Sequence, residues 1–317
     1  MGGGRPAAIP RPELDGRLYA VSSPVISIEG VGKRFDSGTV ALADASLDVA
    51  HGEFVALLGP SGCGKSTLLR IIAGLEQPSQ GRFRVAARPT TAGLPPVGFV
   101  FQEPTLMPWA TVADNVWLPL RLAGQSREQS MAAIQAQLHS VGLGGFEGAY
   151  PRELSGGMKM RVSIARALIA EPRVLLMDEP FAALDEMTRI RLNEDLLAWS
   201  QARHLTVVFV THSVFEAVTL AQRIVVMAAG PGRISETLEN AREGARDEDW
   251  RGSADFAGRC ARVSQALRRA AGGHPQSQSQ SQSQSQSQSQ SQSQPQPQPP
   301  SPSPSQWPSP PATPSSR

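Results

Sequence analysis

Glycines, a lysine and a serine between residues 59 and 66 offer the first chemistry in this chain. The segment "GPSGCGKST" runs Gly59, Pro60, Ser61, Gly62, Cys63, Gly64, Lys65, Ser66, Thr67. It fits the pattern glycine, four residues, glycine, lysine, then serine or threonine. An apolar run, "FVALLG", precedes it and a helical pattern, "TLLRIIAGL", follows. Glycines let backbone amides turn inward around phosphate oxygens, while Lys65 can reach β and γ phosphates and Ser66 can supply an oxygen to Mg²⁺. Downstream, "VLLMDEP" ends a second apolar run with Asp178 and Glu179. An acidic pair at a strand end is by itself a solvated turn. With a phosphate loop in the same sheet, Asp178 becomes a Mg²⁺ partner and Glu179 the carboxylate that orients or deprotonates an attacking water. His212 closes the next apolar run, "TVVFVTH"; beside these motifs it reads as a γ-phosphate contact, alone as a structural histidine. Cys63 has two readings: a thiol activated by the loop's positive dipoles, or a small residue that fits.

A further stretch, "LSGGMKMRVSIARAL" at 154 to 168, has no carboxylate, histidine or cysteine. It opens with Ser155, Gly156 and Gly157 and continues as a basic amphipathic helix. A helix amino terminus presents unpaired N–H groups and a positive dipole. Such a segment suits a phosphate clamp rather than bond breaking.

These residues need a scaffold. "FVALLG", "VGFVFQ", "RVLLMD", "TVVFVTH" and "RIVVMAA" are strand candidates; several are apolar without alternation, as expected of parallel strands covered on both faces. "VISIEGV" and "VALADASLDV" alternate more cleanly and predict an antiparallel flank. Between about 107 and 168 helical patterns run without a strand, and Ser126 and Gln129 stand in capping-box spacing. The expected fold is therefore α/β, with an α-helical subdomain inserted into a core spanning about 25 to 250.

Composition narrows the class. The chain has 317 residues, a formal net charge of +2 and two cysteines. Its basic residues are scattered, so no nucleic-acid partner is expected. Cys63 and Cys260 lie far apart without a secretory signal, which points to a reducing cytoplasm. No apolar run approaches the roughly 18 residues of a membrane span, so any work at a membrane needs another chain. Residues 1–24 read as a flexible leader, 251–274 as a short basic helical extension lying on the core, and the Ser/Gln/Pro-rich 275–317 as a disordered tail.

In order and spacing, the phosphate loop, Gln102, "LSGGM", "LLMDEP", "ALD" ending at Asp185 and then His212 resemble the ATP-binding cassette (ABC) ATPases, a P-loop NTPase family, over about Val25 to Glu239. The resemblance implies two cassettes dimerised head to tail, with Ser155 and the glycine amides of each chain holding the γ phosphate of ATP bound by the other. It further implies that Phe35 stacks on adenine, that Gln102 couples Mg²⁺ and water to the helical subdomain, and that Asp185 reports across the dimer seam. A core phenylalanine is the alternative for Phe35. Met158, where glutamine is commoner, together with Pro108 and Trp109 in "EPTLMPW", resembles importer cassettes of the nitrate, sulfonate and taurine branch. Met160 and Ser213 depart from the usual pattern, which has glutamine and aspartate there.

The implied protein is a peripheral ATPase subunit on the cytoplasmic face of the inner membrane. Its implied partners are a separate permease, met through the apolar "LMPW" region, and a soluble solute-binding protein; its solute is nitrate-, sulfonate- or taurine-like, or thiamine-precursor-like. The alternative is a mechanochemical ABC ATPase acting on nucleic acid or ribosomes. Such relatives carry paired cassettes, coiled coils or strong basic patches, none of which is visible.

Overall fold

The computed structural model describes residues 23–86 and 96–272. The leader before residue 23 and the Ser/Gln/Pro-rich tail lie outside the described residues.

The chain opens with antiparallel strands β1 (Ile26–Arg34) and β2 (Val40–Val49), then β3 (Phe54–Leu58) and helix α1 (Lys65–Ile72). Strands β4 (Gln80–Val85) and β5 (Val97–Val100) follow, then helices α2 (Val112–Leu122), α3 (Arg127–Ser140) and α4 (Gly156–Leu168). β6 (Val174–Asp178), α5 (Glu186–Ala202), β7 (Thr206–Thr211), α6 (Val214–Leu220), β8 (Arg223–Ala228) and β9 (Arg233–Glu239) complete the sheets. α7 (Glu248–Arg251) and α8 (Ala254–Ala270) close the described chain.

The strands form a three-stranded sheet in the order β2-β1-β4 and a six-stranded sheet in the order β5-β6-β7-β3-β8-β9. β5, β6, β7, β3 and β8 run parallel, and β9 pairs antiparallel at the edge. The absence of alternation in the central strands has a direct cause. Val55, Leu57, Leu176, Val208 and Val210 face one core, shared with α1 and the small sheet. Phe54, Ala56, Leu58, Leu175, Met177, Val207 and Phe209 face another, shared with α4, α5, α6 and α8. Neighbouring residues thus point into different dry interiors, and both parities must be apolar.

A third core joins α2, α3 and α4 through Val116, Leu120, Ile134, Leu138, Val162 and Ala165. α4 belongs to two interiors: its Met160, Ile164 and Leu168 pack on the sheet side, while Val162 and Ala165 pack against the helices. The α3 capping box forms as its spacing predicts, with Ser126 and Gln129 each bonding the other's backbone N–H. α8 buries Phe256, Val263 and Ala266 in the sheet-side core and leaves Arg262, Arg268 and Arg269 exposed.

Register decides where the chemistry meets. Leu58 pairs with Thr211 across β3 and β7, Asp178 with Val210 across β6 and β7, and Val100 with Met177 across β5 and β6. The carboxyl ends of four parallel strands are therefore level. The phosphate loop, Asp178–Glu179, His212 and the segment carrying Gln102 all leave from that one end, where open α/β sheets bind ligands.

Candidate active site

The loop from Gly59 to Gly64 joins β3 to α1. Gly64 is the N-cap residue at φ 90°, a left-handed conformation that favours glycine. A Cβ there would stand 2.6 Å from Leu42 Cδ2 and 2.7 Å from the Ala41 carbonyl oxygen, so the position is closed on steric grounds as well. α1 begins without a side-chain cap and with no acid in its first turn. Among the described residues no oxygen accepts from the amides of Gly64, Lys65, Ser66 and Thr67; only the Cys63 sulfur lies toward the Lys65 N–H. A helix start with orphaned donors and no carboxylate is an anion site.

Lys65 is buried. Its ammonium donates to the carbonyls of Gly59 at 2.9 Å and Pro60 at 3.1 Å, and stands 3.8 Å from Glu179 Oε1. Ser66 Oγ donates to Asp178 Oδ1 at 2.8 Å. Asp178 is only 7% exposed. Burial pushes its carboxyl above the usual range, against the opposing pull of the Ser66 hydrogen bond and of Arg70 and Lys65. A hydroxyl and a desolvated carboxylate side by side are hard oxygen donors of the kind Mg²⁺ takes, and the charge would offset that desolvation.

Glu179 follows Asp178 with φ 45°, an unfavourable value for a side chain larger than glycine's. Its N–H donates to the Val210 carbonyl at 3.0 Å, and Oε2 lies 3.3 Å from His212 Nδ1. The strained residue thus turns its carboxylate between Lys65 and His212. His212 is 58% exposed, and the Glu179 carboxylate is its only side-chain polar contact among the described residues. A satisfied structural histidine would be buried with both ring nitrogens engaged; this one is not.

Cys63 corrects one sequence reading. It is fully buried, and burial raises its thiol pKa more than Lys65 and the backbone lower it. A raised pKa leaves little thiolate, so the small residue that fits is the reading that stands.

Phe35 lies on the surface, 38% exposed, with the Lys33 ammonium 5.2 Å from its ring centre. It lines a cavity of about 560 Å³ with Arg34, Gly38, Val40, Leu42 and Gln80. Leu42 also packs against Gly64, so this cavity adjoins the phosphate loop. The core alternative for Phe35 is thereby excluded.

Gln102 is exposed and makes no side-chain hydrogen bond among the described residues. The segment after it is anchored by Arg166 of α4, which donates to the carbonyls of Pro104 and Thr105, both at 2.9 Å. Sequence reasoning had no signal for that contact, since an arginine on an amphipathic helix reads as solvated. Asn115, also overlooked, is fully buried in α2 and clamps the next turn: Oδ1 accepts from Met107 N–H at 2.8 Å, and Nδ2 donates to the carbonyls of Met107, Ala110 and Thr111. On this held turn Trp109 stands 77% exposed.

Ser155 caps α4, its Oγ accepting from Met158 N–H at 3.3 Å. The amides of Gly156 and Gly157 have no acceptor among the described residues. Gly157 is packed so closely against α5 that an added Cβ would come 2.5 Å from Thr188 Cγ2. Asp185 caps α5 through Thr188 N–H at 2.9 Å, and these hydrogen bonds hold its carboxyl below the usual range. No hydrogen bond or ion pair ties Ser155, Gly156, Gly157 or Asp185 to the phosphate loop among the described residues. One chain therefore carries two separate amide-rich helix starts.

Residues 42–182 match the family model described as ABC transporter. An uncharacterized ABC transporter ATP-binding protein of Methanocaldococcus jannaschii is 46% identical over 225 residues, covering 70% of this chain and 84% of that one. An aliphatic sulfonates import ATP-binding protein of Bacillus cereus is 44% identical over 218 residues, covering 68% of this chain and 86% of its own length. Among solved structures, a dimeric ATP-binding cassette in a post-hydrolysis state with ADP and Pi superimposes with a TM-score of 0.60 at 32% identity, covering 69% of this chain and all of that one. Identities of 46% and 44% over more than two thirds of the chain, together with the family match, place the chain in the ABC transporter family as an ATP-binding cassette.

Proposed function

We propose that this cassette is the ATP-hydrolysing subunit of an importer, working as a head-to-tail dimer beneath a separate permease. The observation that carries the reading is the pair of unmet helix starts: among the described residues α1 leaves its first amides without an oxygen acceptor, and α4 leaves Gly156 and Gly157 so. Each suits phosphate, yet among the described residues no hydrogen bond or ion pair joins them. Two copies in opposite orientation would bring the α4 start of one to the nucleotide of the other. The dimeric cassettes at 32% identity support that arrangement.

Within one chain the phosphate loop, Gly59 to Thr67, cradles the triphosphate with its amides, and Lys65 leaves its carbonyl partners for the β and γ oxygens. Phe35 stacks on the base. Ser66, Asp178 and Gln102 hold Mg²⁺, which when bound neutralises phosphate charge. Glu179 orients a water for attack on the γ phosphorus and takes its proton, and the bridging oxygen leaves with ADP. His212 contacts the γ phosphate from the other side of Glu179. From the opposite chain Ser155 and the amides of Gly156 and Gly157 close the pocket, while Asp185 senses the seam. Hydrogen bonds to charged groups contribute about 1.5 to 3 kcal/mol each, and reversing a two-state equilibrium takes about 5.5 kcal/mol. Two such contacts at each of two sites suffice to close the dimer, and cleavage weakens them.

The exposed Trp109, on a turn fixed by Asn115, is the proposed permease contact, at the cytoplasmic membrane face. A sulfonate-like small solute, delivered by a soluble binding protein, is the cargo favoured by the 44% identity to aliphatic sulfonate import cassettes. No helix of the described residues is long and apolar enough to cross a membrane, so passage falls to the partner chain.

The test is light scattering of Glu179→Gln with and without MgATP. A nucleotide-dependent dimer that Ser155→Ala weakens is expected; a strictly monomeric E179Q, even beside its permease, overturns the reading.

A further inference from the structure

His212 presents a chemical problem that its own side chain does not solve. Its ring is mostly exposed and touches one polar group, so its aim depends on the backbone from which it projects. That backbone is held from below. Thr211, the last residue of β7, is buried, and its hydroxyl donates to Glu216 Oε2 while accepting from Ser213 N–H at 2.9 Å. Ser213 caps α6, its Oγ accepting from Glu216 N–H at 3.3 Å. Both residues flanking His212 are thus fastened to Glu216, one turn further along the chain.

Glu216 is only 4% exposed. Burial raises its carboxyl pKa above the usual range, and the charged groups that bear on it are Arg189 and Glu186 of α5 and His212 itself. A buried carboxyl met by few donors costs stability that an aliphatic residue would not. Helix capping does not require it either, since Ser213 already supplies the cap oxygen.

We propose that Glu216 is a positioning residue for the hydrolytic step, locking the Thr211–Ser213 turn so that the His212 ring meets the γ phosphate. This rests on the role proposed above for His212. Glu216 acts through Thr211, whose hydroxyl its carboxyl accepts from. Ser213 serves the same turn as an uncharged cap, which leaves the Glu216–Thr211 bond as its carboxyl-based tie.

The test uses the full-length chain, reading phosphate release alongside the Kd of a fluorescent ATP analogue. Glu216→Ala is expected to lower kcat about ten-fold or more while Kd stays within about two-fold. Glu216→Gln keeps an oxygen for the Thr211 hydroxyl and is expected to recover most of the rate. The loss should not compound: His212→Ala with Glu216→Ala is expected to be no slower than His212→Ala alone, within about two-fold. Should Glu216→Ala fail to fold, Thr211→Val removes the same hydrogen bond, together with the one from Ser213 N–H, at nearly constant shape and is expected to lower kcat at least as much. Wild-type kcat in Glu216→Ala, multiplicative losses in the double variant, or a Gln variant as slow as Ala overturns the assignment. An unchanged rate in His212→Ala alone overturns the role of His212 as well, which separates the two failures.

Discussion

The first turn of α1 and the first turn of α4 are built from similar material and finished differently. Both lack an acid in that turn, and both begin at glycines. α4 is closed by Ser155, as α2, α3, α5, α6, α7 and α8 are closed by Thr111, Ser126, Asp185, Ser213, Asp247 and Ser253. α1 alone has no side-chain cap, and Lys65 and the Ser66–Asp178 pair surround its start instead. An N-cap side chain contributes about 1 kcal/mol, so its omission at one of the eight α-helices among the described residues points to donors kept for a ligand. In the proposed reading α1 serves the chain's own nucleotide, while α4, a capped helix end with two spare amides, serves a partner's.

The largest test of that contrast is Lys65→Ala. Removing the ammonium is expected to weaken MgATP binding about a hundred-fold, the scale of two tenfold steps of 1.4 kcal/mol, measured by titration of the isolated chain. Smaller, and aimed at the other helix, is Ser155→Ala against Ser253→Ala. Each is expected to lose about 1 kcal/mol of stability in thermal melts. Only Ser155→Ala should also weaken the ATP-driven dimer of the Glu179→Gln chain, by about ten-fold; equal dimer affinities in the two would collapse the distinction. Smallest is a pH effect at α1. Asp178 has its folded pKa raised by burial, so its ionised form costs stability above that raised value, and the cost lifts as pH falls through it toward the ordinary carboxylate range. Asp178→Asn is therefore expected to melt higher than the parent at neutral pH without nucleotide, with the gain shrinking on acidification, and to gain little from added MgATP. A lower melting point at neutral pH would contradict the burial argument.

Legibility followed distance along the chain. The phosphate loop was readable because its glycines, lysine and serine act within one turn. The central parallel strands β3, β6 and β7 were readable because both of their faces are dry. β4 and β9 were not singled out: "QGRFRV" and "RISETLE" are edge strands with charged, half-exposed faces, and nothing local separates them from loops. The two readings of Cys63 could not be separated by dipoles alone, which are visible in a helix start, because the burial that outweighs them and favours the small-residue reading is tertiary. Glu216 passed unnoticed for a related reason. An acid three residues after a serine looks like capping, and only packing shows its carboxyl turned to Thr211 instead.

Residue type and short-range spacing determined which groups this chain has for phosphate, metal and water, and that a parallel sheet would carry them, since backbone amides and apolar parity are local properties. Tertiary structure decided that Asp178, Glu179, Lys65 and His212 converge at one sheet end, that Phe35 stays at the surface, and that no hydrogen bond ties Ser155 to the phosphate loop among the described residues. Those outcomes depend on strand register and on which surfaces exclude water, quantities set by the packing of distant segments rather than by any stretch read alone.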